Sequence, residues 1–266
     1  VISSYQGTPS TEIIEEAAKY DAIYCEWAPN EKVAMEVASG ASISGVRAMA
    51  SMKHVGFNVA ADPMYTMAYI GATGGLVAVV ADDPGMYSSQ NEQDTRQICR
   101  AAQVPVLEPS DSQEAKDYMK LAFELSEEYD TPIVLRTTTR LAHSQGVVTL
   151  EDRVVPEDKV YERNIAKHVM MPGMAIKRHL IVEDRMNRMA EDANTMVVAK
   201  EGFAKDMPLN KVEMNDTKIG FITSGIPYTY VKEACPNASV LKLGMVHPLP
   251  KKMIEEIRQK IINIEL

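Results

Sequence analysis

Leu76-Val77-Ala78-Val79-Val80-Ala81, followed at once by Asp82-Asp83, is the stretch that decides the fold. A continuous apolar run of this length, rich in β-branched residues and closed by two acids, reads as a strand buried on both faces, which is what a parallel sheet demands. Working outward, short β-rich runs alternate with helical ones. Upstream, strands read at Val1–Tyr5, Ala22–Glu26 and Arg47–Lys53, separated by helices at Pro9–Lys19 and Glu31–Ser42. Thr8 is the expected N-cap of the first helix and Pro9 its first residue. Asn58–Ile70 reads as a helix interrupted by Pro63. Downstream follow a helix at Glu92–Ala102, a strand at Val104–Leu107, a helix at Ser112–Tyr129 and a strand at Pro132–Arg136. Strand and helix in alternation imply an α/β fold: a parallel sheet with helices on both faces, spanning residues 1–150.

Beyond Thr138 the pattern weakens and charge rises. Residues 151–215 read as a linker or crossover carrying one exposed helix, Ala175–Ala193. Lys218–Thr223 (KIGFIT) opens a second β/α pattern, continued by a helix near Tyr228–Ala234, a strand at Ser239–Leu243 and a helix from about Pro250. Only two strands show there. Two parallel strands do not make a stable open sheet, so residues 216–266 read as part of a second α/β domain.

Composition sets the outer bounds. At 266 residues the chain is long enough for one large domain or two smaller ones, and 45% hydrophobic with 24% charged residues is a globular balance. The net charge of -9 argues against binding the phosphate backbone of nucleic acid. No apolar run reaches membrane-spanning length. The first residue is Val and no secretory signal follows, so the chain reads as trimmed at its start and cytoplasmic. Cys25, Cys99 and Cys235 are far apart and form no CxxC pair, which excludes a zinc ribbon or a four-cysteine cluster and suggests reduced, mostly buried thiols. The histidines show no metal-ligand spacing, and no metal site is read from them.

Three segments carry chemistry. Tyr5-Gln6-Gly7-Thr8-Pro9-Ser10-Thr11-Glu12 is a strand–turn–helix junction at the carboxyl end of a strand, where open α/β sheets bind ligands; on its chemistry alone a plain βα turn with a capping threonine is the favoured reading. Glu31 opens the helix Glu31–Ser42, whose Ala34, Ala38 and Ala41 make a close-packing face. Its carboxylate either works as a proton-handling group in a half-apolar pocket or simply complements the helix dipole. Ala81–Arg96 is a long polar loop in which Arg96 either clamps a carboxylate or pairs with Asp94 or Glu92. There is no GxGxxG, P-loop, GxSxG or HExxH.

In order along the chain, YQGTPSTEI, NEKVAMEVASGAS, MKHVGFNVAADP, VVADDPGMYSSQNEQDTR, LEPSDSQEAKD and PIVLRTTTRLAHS resemble the alpha subunits of indolepyruvate:ferredoxin oxidoreductases, and the stretch from Ile219 to Pro250 resembles their next domain. The resemblance implies a thiamine-diphosphate-dependent 2-oxoacid oxidoreductase. Its first domain would be Rossmann-like and bind the cofactor's pyrimidine; its second would be transketolase C-terminal-like. Glu31 matches the glutamate that hydrogen-bonds the pyrimidine N1′, favouring the tautomer whose 4′-nitrogen takes the thiazolium C2 proton. Thr8 matches a threonine near the substrate, Arg96 the position of a substrate-carboxylate arginine, and Gly7, Val55, Gly56 and Asn58 positions beside the cofactor ring. The implied partners are a beta subunit, ferredoxin, coenzyme A and an aryl 2-oxoacid, in an oligomer. Gln6 replaces the usual proline of YPGTPS. The motifs that anchor magnesium and diphosphate, and the cysteines for iron–sulfur clusters, are absent from this sequence, so the chain reads as an N-terminal portion that alone turns over nothing. Two readings compete: an enzyme acting on pyruvate or 2-oxoglutarate, or a related decarboxylase; and a non-catalytic α/β subunit-interaction module.

Overall fold

The computed structural model describes residues 1–157, 159–202, 204–261 and 263–265. The first part of the chain runs β1 (Ile2–Ser4), α1 (Thr11–Ala17), β2 (Cys25–Trp27), α2 (Glu31–Ile43), β3 (Ala48–Lys53), α3 (His54–Val59), α4 (Ala61–Ile70), β4 (Leu76–Asp82), α5 (Thr95–Ala102), β5 (Val106–Leu107), α6 (Ser112–Glu128), β6 (Ile133–Thr138) and α7 (Thr139–Ala142). Then follow α8 (Ile165–His168), α9 (Pro172–Asp192), β7 (Lys211–Glu213), β8 (Ile219–Ser224), α10 (Gly225–Ala234), β9 (Ser239–Leu243), β10 (Met245–His247), α11 (Lys251–Lys260) and β11 (Asn263–Glu265).

Among the described residues, seven strands form one sheet in the order β10-β5-β6-β4-β3-β1-β2, parallel except for β10. Every residue of β3 and β4 is buried, as the apolar run requires. Right-handed crossovers put α2, α3, α4 and α5 on one face and α1 and α6 on the other. The core divides accordingly. Met35, Phe57, Met64 and Cys99 pack on one side of the sheet, and Ile14, Tyr118, Leu121 and Met189 on the other. The chain passes from β1 outward to β2 and then back across to β3. The sheet therefore reverses winding between β1 and β3, and open α/β sheets bind ligands beyond the carboxyl ends of the strands at such a point.

Several expectations need correction. Pro63 does not break a helix; the break falls at Ala60 between α3 and α4, and Pro63 sits in the first turn of α4, where a missing N–H costs nothing. The fifth helix starts at Thr95 because Asp94 caps it through the Arg96 N–H. The charged helix α9 is not simply exposed. Arg178 and Arg185 are buried and donate to the carbonyls of Tyr69 and Ala68 at the end of α4, 2.6 and 2.7 Å away, satisfying orphan groups of that terminus. Of the three thiols only Cys99 is buried; Cys25 is half-buried and Cys235 exposed. The second unit shows four strands, β11-β8-β9-β7, where the pattern shows two. β7 and β11 have three residues each, too few for a periodicity to register. Strand β10 leaves that unit and joins the first sheet, with the Glu108 N–H donating to the Gly244 carbonyl at 2.8 Å. Among the described residues no helix is long and apolar enough to cross a membrane.

Candidate active site

Three connections lie at the carboxyl ends of β1, β2 and β4, beside the point where the winding reverses. The first is the turn after β1. The Gly7 carbonyl accepts from both the Ser10 N–H (2.8 Å) and the Ser10 hydroxyl (2.7 Å), and the Gly7 N–H donates to Thr11 Oγ1 at 2.9 Å. Closing this turn consumes Ser10, so Ser10 occupies the N-cap position and the helix starts at Thr11; neither Thr8 as cap nor Pro9 as first helical residue holds. Thr8 is left exposed, joined to Pro9 by a cis bond. A Cβ at Gly7 would make a tight contact, 3.2 Å from the Cβ of Lys53.

The second connection ends in α2. Asn30 caps it, accepting from the Val33 N–H at 3.0 Å, and buries Ala34, Met35, Ala38, Ser39 and Ser42 against the sheet, leaving Ala41 half-buried. Capping fixes Glu31 as the first helical residue, half-buried, with its side chain lying over Gly56. A Cβ at Gly56 would come within 2.3 Å of Glu31 Oε1 and 2.5 Å of its Cγ. The glycine is thus what admits the carboxylate to this position. Among the described residues nothing hydrogen-bonds or pairs with that carboxylate. A carboxylate accepts several hydrogen bonds, and among the described residues none of that capacity is taken up. Of the neighbours on α3, Val55 is half-buried and Asn58 exposed.

The third connection is the loop after β4, held down by residues that sequence reasoning did not single out. Lys53, last residue of β3, is buried and donates to the Ser88 carbonyl at 2.8 Å and to Ser88 Oγ at 3.2 Å. The neighbouring His54 is also buried. Its Nε2 donates to the Asn91 carbonyl at 3.1 Å, and its Nδ1 has no partner among the described residues. Asp83 receives the Ser88 and Tyr87 N–H groups and the hydroxyls of Ser88, Ser89 and Thr139. Burial pushes its carboxyl upward, but these hydrogen bonds and the Lys53 charge outweigh burial and hold it well below the usual carboxylate range. The signal available in sequence was a charged residue at the end of each of two apolar strands.

Arg96 lies elsewhere. It grips Asp94 with two hydrogen bonds, at 2.9 and 2.8 Å, and faces Glu108 at 3.7 Å on the β5 side of the sheet. The Asp94 bond raises its already high pKa further. Nearby, Arg136 is buried between Asp82 and Glu108, which also accepts from Ser224. The structure therefore places Gly7, Thr8, Glu31, Val55, Gly56 and Asn58 at the carboxyl ends of the neighbouring strands β1, β2 and β3, and Arg96 beyond β4 on the β5 side.

A doubly wound parallel sheet with an open carboxylate, a glycine platform and exposed hydroxyls at its switch point defines a Rossmann-like cofactor-binding domain. Residues 1–210 match the family described as "Pyruvate flavodoxin/ferredoxin oxidoreductase, thiamine diP-bdg", and the chain belongs to that family. It is 44% identical to the indolepyruvate oxidoreductase subunit IorA of Archaeoglobus fulgidus, over 100% of this chain and 43% of that protein. It is also 44% identical to the corresponding subunit of Pyrococcus horikoshii, over 96% and 40%. Identity to the ketoisovalerate oxidoreductase subunit VorB of Methanothermobacter thermautotrophicus is 23%, over 98% and 79%. The chain thus spans about two fifths of the length of the two IorA relatives. The 2-oxoglutarate:ferredoxin oxidoreductase of Magnetococcus marinus shares the fold, with a TM-score of 0.73 over 98% of this chain and 53% of that one, at 15% identity.

Proposed function

We propose that this chain supplies the pyrimidine side of the thiamine diphosphate site in an oxidoreductase that oxidatively decarboxylates aryl 2-oxoacids of the indolepyruvate type. Coenzyme A takes the acyl group and ferredoxin the electrons. The observation that carries this reading is the Glu31 carboxylate, open to a ligand, seated on Gly56 at the switch point. The identity to the IorA subunits, well above that to VorB, supports the aryl substrate class.

The residues present fit the ring. Glu31 offers an acceptor to the pyrimidine N1′ and would hold a proton there. Gly7 and Gly56, lacking Cβ atoms, make room for the Lys53 stem and the Glu31 carboxylate that would border the ring. Half-buried Val55 would offer the ring an apolar contact, and the exposed Asn58 and Thr8 would offer polar groups to the ring and the substrate. When bound, the cofactor supplies the carbon nucleophile that the side chains of a protein lack. Arg96, engaged by Asp94, has no part in this reading. Magnesium, the diphosphate anchor and iron–sulfur clusters are assigned to protein other than the residues of this chain, in a cytoplasmic oligomer that includes a beta subunit.

The test is Glu31→Gln in the complex of full-length subunits. Loss of a proton-handling group costs ~10²–10⁴-fold in rate, so aryl-2-oxoacid-dependent ferredoxin reduction is expected to fall by that amount. A rate near wild type would refute the assignment.

A further inference from the structure

We propose that Lys53 is the cation that binds the carboxylate of the 2-oxoacid substrate. This rests on the reading above, and it starts from the position of the residue. Lys53 ends β3, one of the two strands between which the sheet reverses winding. Its stem lies on Gly7, with Cβ and Cδ 3.2 and 3.7 Å from where a Gly7 Cβ would be. Three residues later, Gly56 carries Glu31. Lys53 therefore borders both the turn that presents Thr8 and the platform that presents the open carboxylate.

Its hydrogen bonds are incomplete. An ammonium group has three N–H donors. Ser88 takes two of them, with its carbonyl and its hydroxyl. The nearest carboxylate, Asp83, stands 3.7 Å away, in an ion pair but beyond hydrogen-bonding reach. Asp83 is saturated by the backbone and hydroxyl donors around it. It steadies the lysine charge without using the third N–H. With its side chain only 8% exposed, Lys53 holds that charge largely out of water, where a second carboxylate gains most. Among the described residues, Arg96 is committed to Asp94 and Arg136 to Asp82 and Glu108, while Arg140, exposed, makes one 3.4 Å bond to the Tyr87 hydroxyl.

A lysine that only pinned the loop would be indifferent to ligand charge, and the experiment separates the two roles. Indole-3-acetate and indole-3-acetamide lack the 2-oxo group, so their equilibrium binding to the full-length complex, measured by calorimetry, is read without turnover. Lys53→Gln keeps a donor for the Ser88 carbonyl but removes the charge. A hydrogen bond to a charged group contributes about 10- to 100-fold in affinity. The wild-type complex is expected to prefer the acid over the amide by that factor, Lys53→Gln to lose the preference, Lys53→Arg to retain most of it, and Ser88→Ala, which removes the loop hydroxyl but keeps the carbonyl that holds Lys53, to leave the ratio unchanged. No acid preference in the wild type, or an unchanged ratio in Lys53→Gln with both ligands weakened together, overturns the proposal. Neither result depends on the Glu31→Gln rate, so the two readings fail separately.

Discussion

Replacing Gly56 by alanine separates the site from the fold more cleanly than any charge deletion. The added methyl would begin 2.3 Å from Glu31 Oε1, 2.5 Å from Cγ and 2.6 Å from Cδ, with no backbone atom among these closest neighbours. A normal contact needs well over 3 Å, so the carboxylate must retreat by roughly 1 Å or swing to another rotamer. Overpacking in a rigid core costs ~1–3 kcal/mol, but here the obstructing atoms end a half-buried, flexible side chain, and the cost falls at the low end of that range. Against it stands the gain from exchanging glycine for alanine within a helix, ~0.5–1 kcal/mol. Net stability is expected to stay within about 1 kcal/mol of wild type. Activity is not protected in this way: a 1 Å misplacement of a catalytic group costs on the order of 10²-fold. Chemical denaturation and 2-oxoacid-dependent ferredoxin reduction, measured on the full-length complex, would read the two quantities. Gly40→Ala is the control, since nothing lies within 4 Å of its Cβ position; it should gain the helix term and leave the rate alone. Wild-type turnover in Gly56→Ala would show that the placement of Glu31 does not matter, and the reasoning would fail.

Two further outcomes concern the framework. Thr139 is buried and donates its hydroxyl to Asp83 Oδ1 at 2.8 Å, so Thr139→Val should cost ~1.5–3 kcal/mol in denaturant unfolding, because an ionised, buried carboxylate loses a donor. Glu213 is pushed up by burial but pulled down further by its bonds to Lys232, Tyr228 and Lys211, from an ordinary 4.5 to about 2. A folded pKa below the unfolded one means stability that is complete above the unfolded value and lost as pH falls toward the folded value. Wild type should therefore exceed Glu213→Gln in urea unfolding at about pH 6, and the gap should shrink by about pH 3; a gap constant with pH would contradict the shift.

Local pattern carried much of this architecture. LVAVVA announces a strand buried on both faces because burial on both faces removes any reason for polar alternation. Alternating strands and helices then permit little besides a parallel sheet with right-handed crossovers. Glu31 at the start of α2 was likewise legible, since Asn30 before an apolar-periodic run is a local capping signal. Thr8 was misread as a cap because the Gly7–Ser10 turn and the capping position compete for the same few residues, and only their folded geometry resolves the competition.

Other features exist only through pairs far apart in the chain. Gly56 is an unremarkable glycine until Glu31, 25 positions earlier, lies across it. Lys53 reads as the charged end of a strand until Ser88 and Gly7 close around it. Strands β7, β10 and β11 are too short to announce themselves and form because a sheet edge elsewhere offers them partners. Periodicity records which face of an element is buried, so it reveals layers and strand direction. It holds no record of which residues of different elements meet, and in this protein those meetings at the carboxyl edge make the site.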